Sequence, residues 1–172
     1  MSTLFTGISE LRTVSEAGTL ADASLIANTD GTIAWIGSAS EAPAADEKVD
    51  LGGRAVLPGW VDSHTHMIFD GDRSAEFEAR MAGESYQAGG IAVTMDATRS
   101  AGEERLEKLL VERIAAAHRG GTTTLETKTG YGLNTESEVE AARVAARHVD
   151  DVTFLGAHLV PPGAEAETYL DE

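Results

Sequence analysis

A change of sequence pattern at Pro58-Gly59 constrains the fold of this 172-residue chain more than any other feature. Before it, short apolar segments alternate with turn residues, as in β structure. After it, strand-like segments alternate with segments of helical length, which is typical of βαβ units and a parallel sheet. The pattern predicts a β domain over residues 1–57 and an α/β domain over residues 58–172.

Turn signals divide the first domain into strands, which we expect at residues 4–8, 24–28, 32–36 and 50–57. Asp30-Gly31 separates the second strand from the third. An Asp-Gly pair tolerates the positive φ angles of a tight hairpin turn, so a hairpin is expected there. Residues 41–50 are rich in Ala, Pro and acids and are expected to form a surface loop.

Strand-like segments in the second domain predict strands at residues 60–66, 122–128 and 152–156. Apolar residues at three- and four-residue steps predict a helix over 102–119, and further helices are expected from 135 to about 148 and beginning near 164. Thr135 and Glu138 have the spacing of a capping box, which predicts how the second of these helices begins.

The charge balance excludes several classes of partner. Lys and Arg number 13 against 29 Asp and Glu, a formal net charge of −16, which argues against a nucleic-acid partner. Without cysteine there are no disulfides and no thiolate ligands. No apolar run reaches the length of a membrane span, and no basic signal-peptide region is present, so we expect a cytoplasmic protein with no membrane partner.

His64-Thr65-His66 is the sharpest candidate for chemistry. Side chains alternate between the faces of a strand, so both imidazoles are expected to point the same way at the end of the strand that opens the α/β domain. Two converging imidazoles suit one divalent metal ion such as zinc or iron. The alternative is a pair of histidines that only satisfy local hydrogen bonds.

Two further strand ends carry polar rings. Tyr131 lies between two glycines after the second strand, and His158 follows the third. If the strands belong to a (β/α)8 barrel, both rings reach the same edge as the histidine pair. Each is a candidate for contact with a small-molecule substrate, although Tyr131 could equally be a packing aromatic.

Charged residues near these strand ends allow two interpretations. Arg73, on a loop after the histidine pair, could clamp a substrate carboxylate with its guanidinium, or could pair with one of the acids around it. Glu126 and Lys128 point from the same face of one strand, and we expect them to form an ion pair.

The segment PGWVDSHTH at residues 58–66 resembles the PG-hydrophobic-hydrophobic-D-x-H-x-H signature of the amidohydrolase superfamily. Within that superfamily, further segments resemble the imidazolonepropionase family. They are FDGDRSAEF at 69–77, ATR at 97–99, GTTTLETKTGYGL at 121–133, and TFLGAH at 153–158 with Pro161-Pro162.

The resemblance implies an amidohydrolase-type (β/α)8 TIM barrel, of which only the first strands are present, with an N-terminal composite β-sandwich domain. It implies a metal-dependent hydrolase of histidine degradation that opens the ring of 4-imidazolone-5-propanoate to N-formimidoyl-L-glutamate. His64 and His66 would be metal ligands, Arg73 would contact the substrate propionate, and Tyr131 and His158 would line the substrate pocket. The ion would be zinc or iron.

The chain also departs from the family pattern. Residues 85–91 are shorter than the matching loop of the family, and the remaining metal ligands and the general base lie outside this sequence. We therefore expect the isolated chain to be an incomplete and inactive fragment. Exposed edges of an unfinished sheet would favour pairing, so a homodimer is possible.

Two alternative functions remain open. The chain could belong to another amidohydrolase, of the cyclic amide or deaminase type, with a carbamylated Lys128 bridging two metal ions. It could also be a binding fragment that keeps the pocket without the chemistry, since catalytic zinc usually has three protein ligands and only two are present here.

Overall fold

A computed structural model describes residues 1–83 and 91–171, which form a mixed α/β structure. The shortened segment at residues 85–91 lies outside the described residues, except for its last residue. The chain divides into two compact units, Met1–Pro58 and Gly59–Glu172. Within the described ranges, no helix combines the length and the apolar character needed to cross a lipid bilayer.

The first unit is a four-stranded sheet with the spatial order β3-β2-β1-β4. Its strands are β1 (Ser2–Arg12), β2 (Thr19–Asn28), β3 (Ile33–Ser38) and β4 (Glu47–Val56). The pairs β1-β2 and β2-β3 are antiparallel, and β4 runs parallel to β1. Its buried core consists of Ile8, Leu11 and Ala23.

The predicted hairpin between β2 and β3 is confirmed. Gly31 has φ +83°, and its amide donates to the carbonyl oxygen of Asn28 at 3.0 Å. Asp30 contributes through its carboxylate, which accepts from the amide of Thr32 at 2.9 Å. The glycine alone therefore provides the positive φ that was expected of the Asp-Gly pair.

The expected surface loop over residues 41–50 is wrong in its second half, because β4 begins at Glu47. Val49 pairs with Phe5 and Asp50 with Thr6 along the edge of β1. An edge strand leaves one face and one side in water, so it tolerates the charged side chains that suggested a loop.

The second unit contains a parallel sheet with the order β5 (Trp60–Asp62), β6 (Thr122–Lys128), β7 (Asp151–Thr153). In chain order, α1 (Ser74–Met81) and α2 (Ile91–Arg119) lie between β5 and β6, α3 (Thr135–Ala145) lies between β6 and β7, and α4 (Ala166–Leu170) follows. The prediction of βαβ units with a parallel sheet is confirmed. The buried core comprises Ile68, Leu106, Leu110, Ile114, Leu125, Ala141, Val144 and Ala145.

The first strand of this sheet is shorter than predicted, because β5 ends at Asp62 rather than His66. The His64 amide donates to Asp62 Oδ1 at 3.3 Å, and the Thr65 amide donates to Glu126 Oε2 at 3.2 Å. Side-chain carboxylates thus take the amides that a continuing strand would pair with a neighbouring backbone. Both histidines consequently lie just beyond the strand.

The helices differ from the predicted ones at their ends. Gly102 has φ +69° and ψ 164° and breaks α2, so the predicted helix after residue 102 is present but follows a helical segment that the periodicity did not predict. α1 was not predicted either. α3 ends before His148, because the amides of Arg147 and His148 bind carbonyls three residues back, which tightens the chain into turns.

Candidate active site

The two histidines lie side by side after β5, in the segment 63–73 that we call the His66 loop. Their ring centroids are 5.6 Å apart. Partial burial of His66, followed by the nearby positive charges of His64 and Lys128, lowers the pKa of the His66 imidazole. The lowered pKa favours a neutral ring, which is the form that binds a metal ion.

Tyr131 joins this pair from the end of the neighbouring strand β6. Its ring centroid lies 5.7 Å from that of His66, in an edge-on arrangement, and 5.2 Å from that of Phe69. Such tilted ring pairs are favoured over face-to-face stacking. The ends of β5 and β6 thus bring together side chains that lie some 65 residues apart in the sequence.

Both glycines beside Tyr131 are required, for different reasons. Gly130 has φ +119°, and a Cβ atom there would lie 3.0 Å from His158 Cε1. A Cβ atom on Gly132 would lie 2.6 Å from Ser137 Cβ, so this glycine permits close approach to α3 rather than a turn. We call residues 129–134 the Tyr131 loop.

The predicted capping box at the start of α3 is wrong. Asn134 is the N-cap residue, and its side-chain oxygen accepts from the Ser137 amide at 2.8 Å. The Glu138 carboxylate instead accepts three amides of the Tyr131 loop: Gly130 at 2.6 Å, Gly132 at 2.8 Å and Leu133 at 2.8 Å. Asn competes well with Thr for the cap, which leaves Glu138 available for the loop.

His158 reaches the same region from beyond β7. Its ring lies against Gly130, and charge repulsion between the two rings is one of the smaller causes of the lowered pKa of the His66 imidazole. The structure therefore places three of the sequence-predicted rings, those of His66, Tyr131 and His158, around one edge of the sheet.

Arg73 lies at the N-cap of α1, where its guanidinium makes a two-pronged contact with Glu76, at 2.9 Å and 2.7 Å. The alternative of pairing with a neighbouring acid is thus present in the structure. Arg73 also lines an open cavity of about 570 Å³, together with Phe69, Arg113 and Tyr131.

Arg113 lies at the candidate site, although no sequence pattern pointed to it. From α2, its Nη1 donates to the carbonyl oxygens of Met67 at 2.7 Å and Phe69 at 2.6 Å. Its guanidinium carbon lies 3.7 Å from the centre of the Phe69 ring. Burial lowers the pKa of Arg113, and arginine remains charged despite such a shift.

Glu126 and Lys128 form the ion pair expected of them, with Nζ 2.7 Å from Oε1. Burial alone would raise the pKa of the Glu126 carboxyl. Hydrogen bonds from Lys128, Thr153 and the Thr65 amide outweigh that effect and hold the pKa below its usual range. The charged pair ties the His66 loop to β6, since Glu126 accepts from Thr65.

A complete metal-ligand set is not present in the described ranges, where no group of three or more His, Cys, Asp or Glu side chains is arranged to hold an ion. His64 and His66 are two nitrogen donors of the kind that zinc and iron accept. They fit a partial ligand set that further donors would complete.

Known proteins resemble this chain closely in sequence. No family model matches the chain. It is 62% identical to the imidazolonepropionase of Micrococcus luteus, covering 99% of this chain and 44% of that protein. It is 59% identical to the imidazolonepropionase of Paenarthrobacter aurescens, with 99% and 42% covered. The chain thus spans less than half the length of the curated relatives that it matches.

Solved structures share the fold at low sequence identity. A Xaa-Pro dipeptidase superposes with a TM-score of 0.54 at 16% identity, covering 91% of this chain and 33% of that one. The zinc complex of atrazine chlorohydrolase from Arthrobacter aurescens gives 0.52 at 19%, with 88% and 35% covered. Guanine deaminase from C. acetobutylicum gives 0.52 at 17%, with 90% and 36% covered.

The mixed α/β fold described above is therefore shared with these three solved structures. At a finer level, the sequence is similar to imidazolonepropionases over 99% of its length, at 59–62% identity. The share of each relative that it covers is consistent with an N-terminal portion.

Proposed function

We propose that this chain is part of a metal-dependent hydrolase that opens the ring of 4-imidazolone-5-propanoate to N-formimidoyl-L-glutamate in histidine degradation. The observation that carries the proposal is the cluster of His66, Tyr131 and His158 at the ends of neighbouring parallel strands. The sequence identity to imidazolonepropionases supports the same reaction class.

The architecture we propose is a (β/α)8 barrel preceded by part of a composite β-sandwich. Three parallel strands in sequential order, joined through helices, are what the first part of such a barrel contains. The all-β unit Met1–Pro58 would belong to the β-sandwich, and Gly59–Glu172 to the barrel. Strand ends in such barrels carry the active site.

We propose His64 and His66 as ligands of one divalent ion, zinc or iron. Their donor atoms suit both metals, and the lowered pKa of His66 keeps a ring nitrogen available. When bound, such an ion supplies a water of lowered pKa and polarises a carbonyl group. Because catalytic zinc usually has three protein ligands, we expect further ligands beyond the two described.

The substrate roles follow from the chemistry of each side chain. Arg73 matches a propionate, because its planar fork can bind both carboxylate oxygens and it already does so with Glu76. Tyr131 and His158 can exchange hydrogen bonds with the polar atoms of the ring. Hydrolysis adds one water across the ring C–N bond: oxygen joins the carbonyl carbon, and the nitrogen takes a proton.

The dinuclear alternative gains no support from the geometry. Carbamylation would use the Lys128 amine, whereas in the structure its Nζ lies 2.7 Å from the Glu126 carboxylate in an ion pair. A single ion held at the histidine pair is therefore the simpler assignment.

The test replaces His66 by Ala in the full-length protein that carries this sequence, with His118→Ala as the matched control. His118 is an exposed histidine in the last turn of α2. We expect His66→Ala to lower both the bound metal, measured by elemental analysis, and kcat by at least about 100-fold, as loss of a metal ligand does. Unchanged metal content and turnover in His66→Ala would contradict the ligand role.

A further inference from the structure

Glu138 is a buried carboxylate that the proposed reaction does not use. Only 3% of the residue is exposed. The partners that the structure gives it are backbone amides of the Tyr131 loop, those of Gly130, Gly132 and Leu133. Burying a charge is costly unless hydrogen bonds satisfy it. The buried Glu138 carboxylate is therefore satisfied only in the loop conformation that supplies these three amides.

Arg99 of α2 contacts the same loop through its backbone carbonyls rather than its amides. Its Nε donates to the carbonyl oxygen of Gly132 at 2.5 Å, and its Nη2 to that of Leu133 at 2.8 Å. Gly132 and Leu133 therefore have both their amide and carbonyl groups bonded to charged side chains from two different helices. The ATR segment at residues 97–99, which the proposed reaction leaves without a role, thereby acquires one.

The backbone of the loop is in a conformation that needs such support. Leu133 has φ +50° and Gly130 φ +119°. A non-glycine residue at positive φ persists where surrounding contacts determine its conformation. Tyr131 lies between the anchored residues, so its ring position beside His66 depends on the anchoring.

Helix capping does not account for Glu138. Asn134 already accepts the Ser137 amide as the N-cap of α3, and the Glu138 amide donates within the helix to the Asn134 carbonyl at 3.1 Å. The Glu138 side chain extends away from α3, and its carboxylate contacts the Tyr131 loop.

We propose that Glu138 and Arg99 are positioning residues that fix Tyr131 at the candidate active site, one through the loop amides and the other through the loop carbonyls. That Tyr131 contacts substrate rests on the proposed function. That Glu138 and Arg99 fix its position does not, and the experiment separates the two.

The first test uses the 172-residue chain, with 3-fluorotyrosine incorporated at position 131 alone. In Glu138→Gln, an amide nitrogen replaces one acceptor oxygen, so at most part of the three-amide contact survives. Glu136→Gln removes the same charge from the same first turn of α3, but at an exposed position, and is the matched control.

We expect the amides of residues 130, 132 and 133 to exchange at least tenfold faster in Glu138→Gln, and the fluorine resonance to shift, while helix content is retained. Glu136→Gln should change neither. Should Glu138→Gln fail to fold, the same fluorine resonance is measured in Arg99→Lys. This substitution keeps the positive charge but removes the planar guanidinium that contacts both carbonyls. Unchanged exchange and an unchanged resonance in a folded variant would overturn the proposal.

The second test is a double-mutant cycle on KM in the full-length protein. Glu138→Gln is expected to raise KM about tenfold in the native background, but less than twofold once Tyr131 is replaced by Phe, because its effect acts through Tyr131. Equal effects in both backgrounds would overturn the positioning role. If Tyr131→Phe alone leaves KM unchanged, the substrate role of Tyr131 fails, while the fluorine and exchange results still decide whether Glu138 positions it.

Discussion

The two loops that carry the candidate site are anchored in different ways. The His66 loop is held by side chains of several elements: Arg113 of α2 at two carbonyls, Thr127 of β6 at the Met67 amide (2.9 Å), and Thr98 of α2 at the Asp70 amide (3.1 Å). The Tyr131 loop is held by two charged side chains that both bind Gly132 and Leu133: Glu138 accepts their amides and that of Gly130, and Arg99 donates to their carbonyls. Anchors spread along a loop can fail one at a time, whereas anchors that bind the same two residues depend on each other.

This difference predicts that the Tyr131 loop is the more sensitive of the two to a backbone change. Gly130→Ala places a methyl group at φ +119° and 3.0 Å from His158 Cε1. We expect a loss of about 3 kcal/mol in the free energy of unfolding, from backbone strain and crowding together. Denaturant titration measures it.

Gly163→Ala is the control for that substitution. Gly163 has φ +83°, but a Cβ atom there would meet nothing within 4 Å. It should therefore lose only about 1 kcal/mol, the cost of the unfavourable φ. Equal losses at the two positions would show that the contact with His158 contributes nothing to the effect of Gly130→Ala.

For the His66 loop, the largest single effect is expected from Arg113→Ala. The substitution removes hydrogen bonds to two carbonyls and the contact with the Phe69 ring, so we expect a loss of about 2 kcal/mol. Because Thr127 and Thr98 still hold the loop, the two histidine rings should remain neighbours, which NMR contacts between their ring protons would show.

Lys108→Ala serves as the comparison for Arg113, because Lys108 is an exposed cation on the same helix. It should change the free energy of unfolding by less than about 0.5 kcal/mol. Separation of the two histidine rings in Arg113→Ala would contradict the idea that the anchors of the His66 loop act independently.

Local sequence patterns predicted the parts of the second unit that depend on local spacing. β6 spans the predicted residues 122–128, because β-branched threonines and flanking glycines define a strand within one short segment. The ion pair of Glu126 and Lys128 follows from the same two-residue period. That His64, His66 and Tyr131 meet could be expected because parallel strands deliver their ends to one edge.

The anchors could not be predicted, because they depend on distant partners. Arg113 bonds carbonyls 44 and 46 residues earlier in the chain, and nothing in the Glu-Arg pattern of its helix indicates this. Glu138 has the spacing of a capping box, and only the folded loop shows that Asn134 performs the capping. The metal-ligand and substrate roles of the five candidate residues stay predictions.

The smallest effect expected concerns pH and tests whether Asp70 is one more independent anchor of the His66 loop. Its carboxylate accepts from Arg105 Nε at 3.0 Å and from the Gly71 amide at 2.7 Å. These two hydrogen bonds hold the pKa of the Asp70 carboxyl below its usual range, and the bond from Arg105 has the larger effect. A carboxyl whose pKa is lowered by folding stabilises the fold above its unfolded pKa, about 4, and this contribution is lost as pH falls through the folded pKa.

Asp70→Asn should therefore lower the unfolding midpoint slightly at neutral pH, with the difference from the native chain disappearing in acid, and Arg105→Gln should behave in the same way. Parallel midpoint curves from neutral pH to pH 2 would show that the Asp70 contact, unlike those of Arg113 and Glu138, contributes nothing to holding its loop.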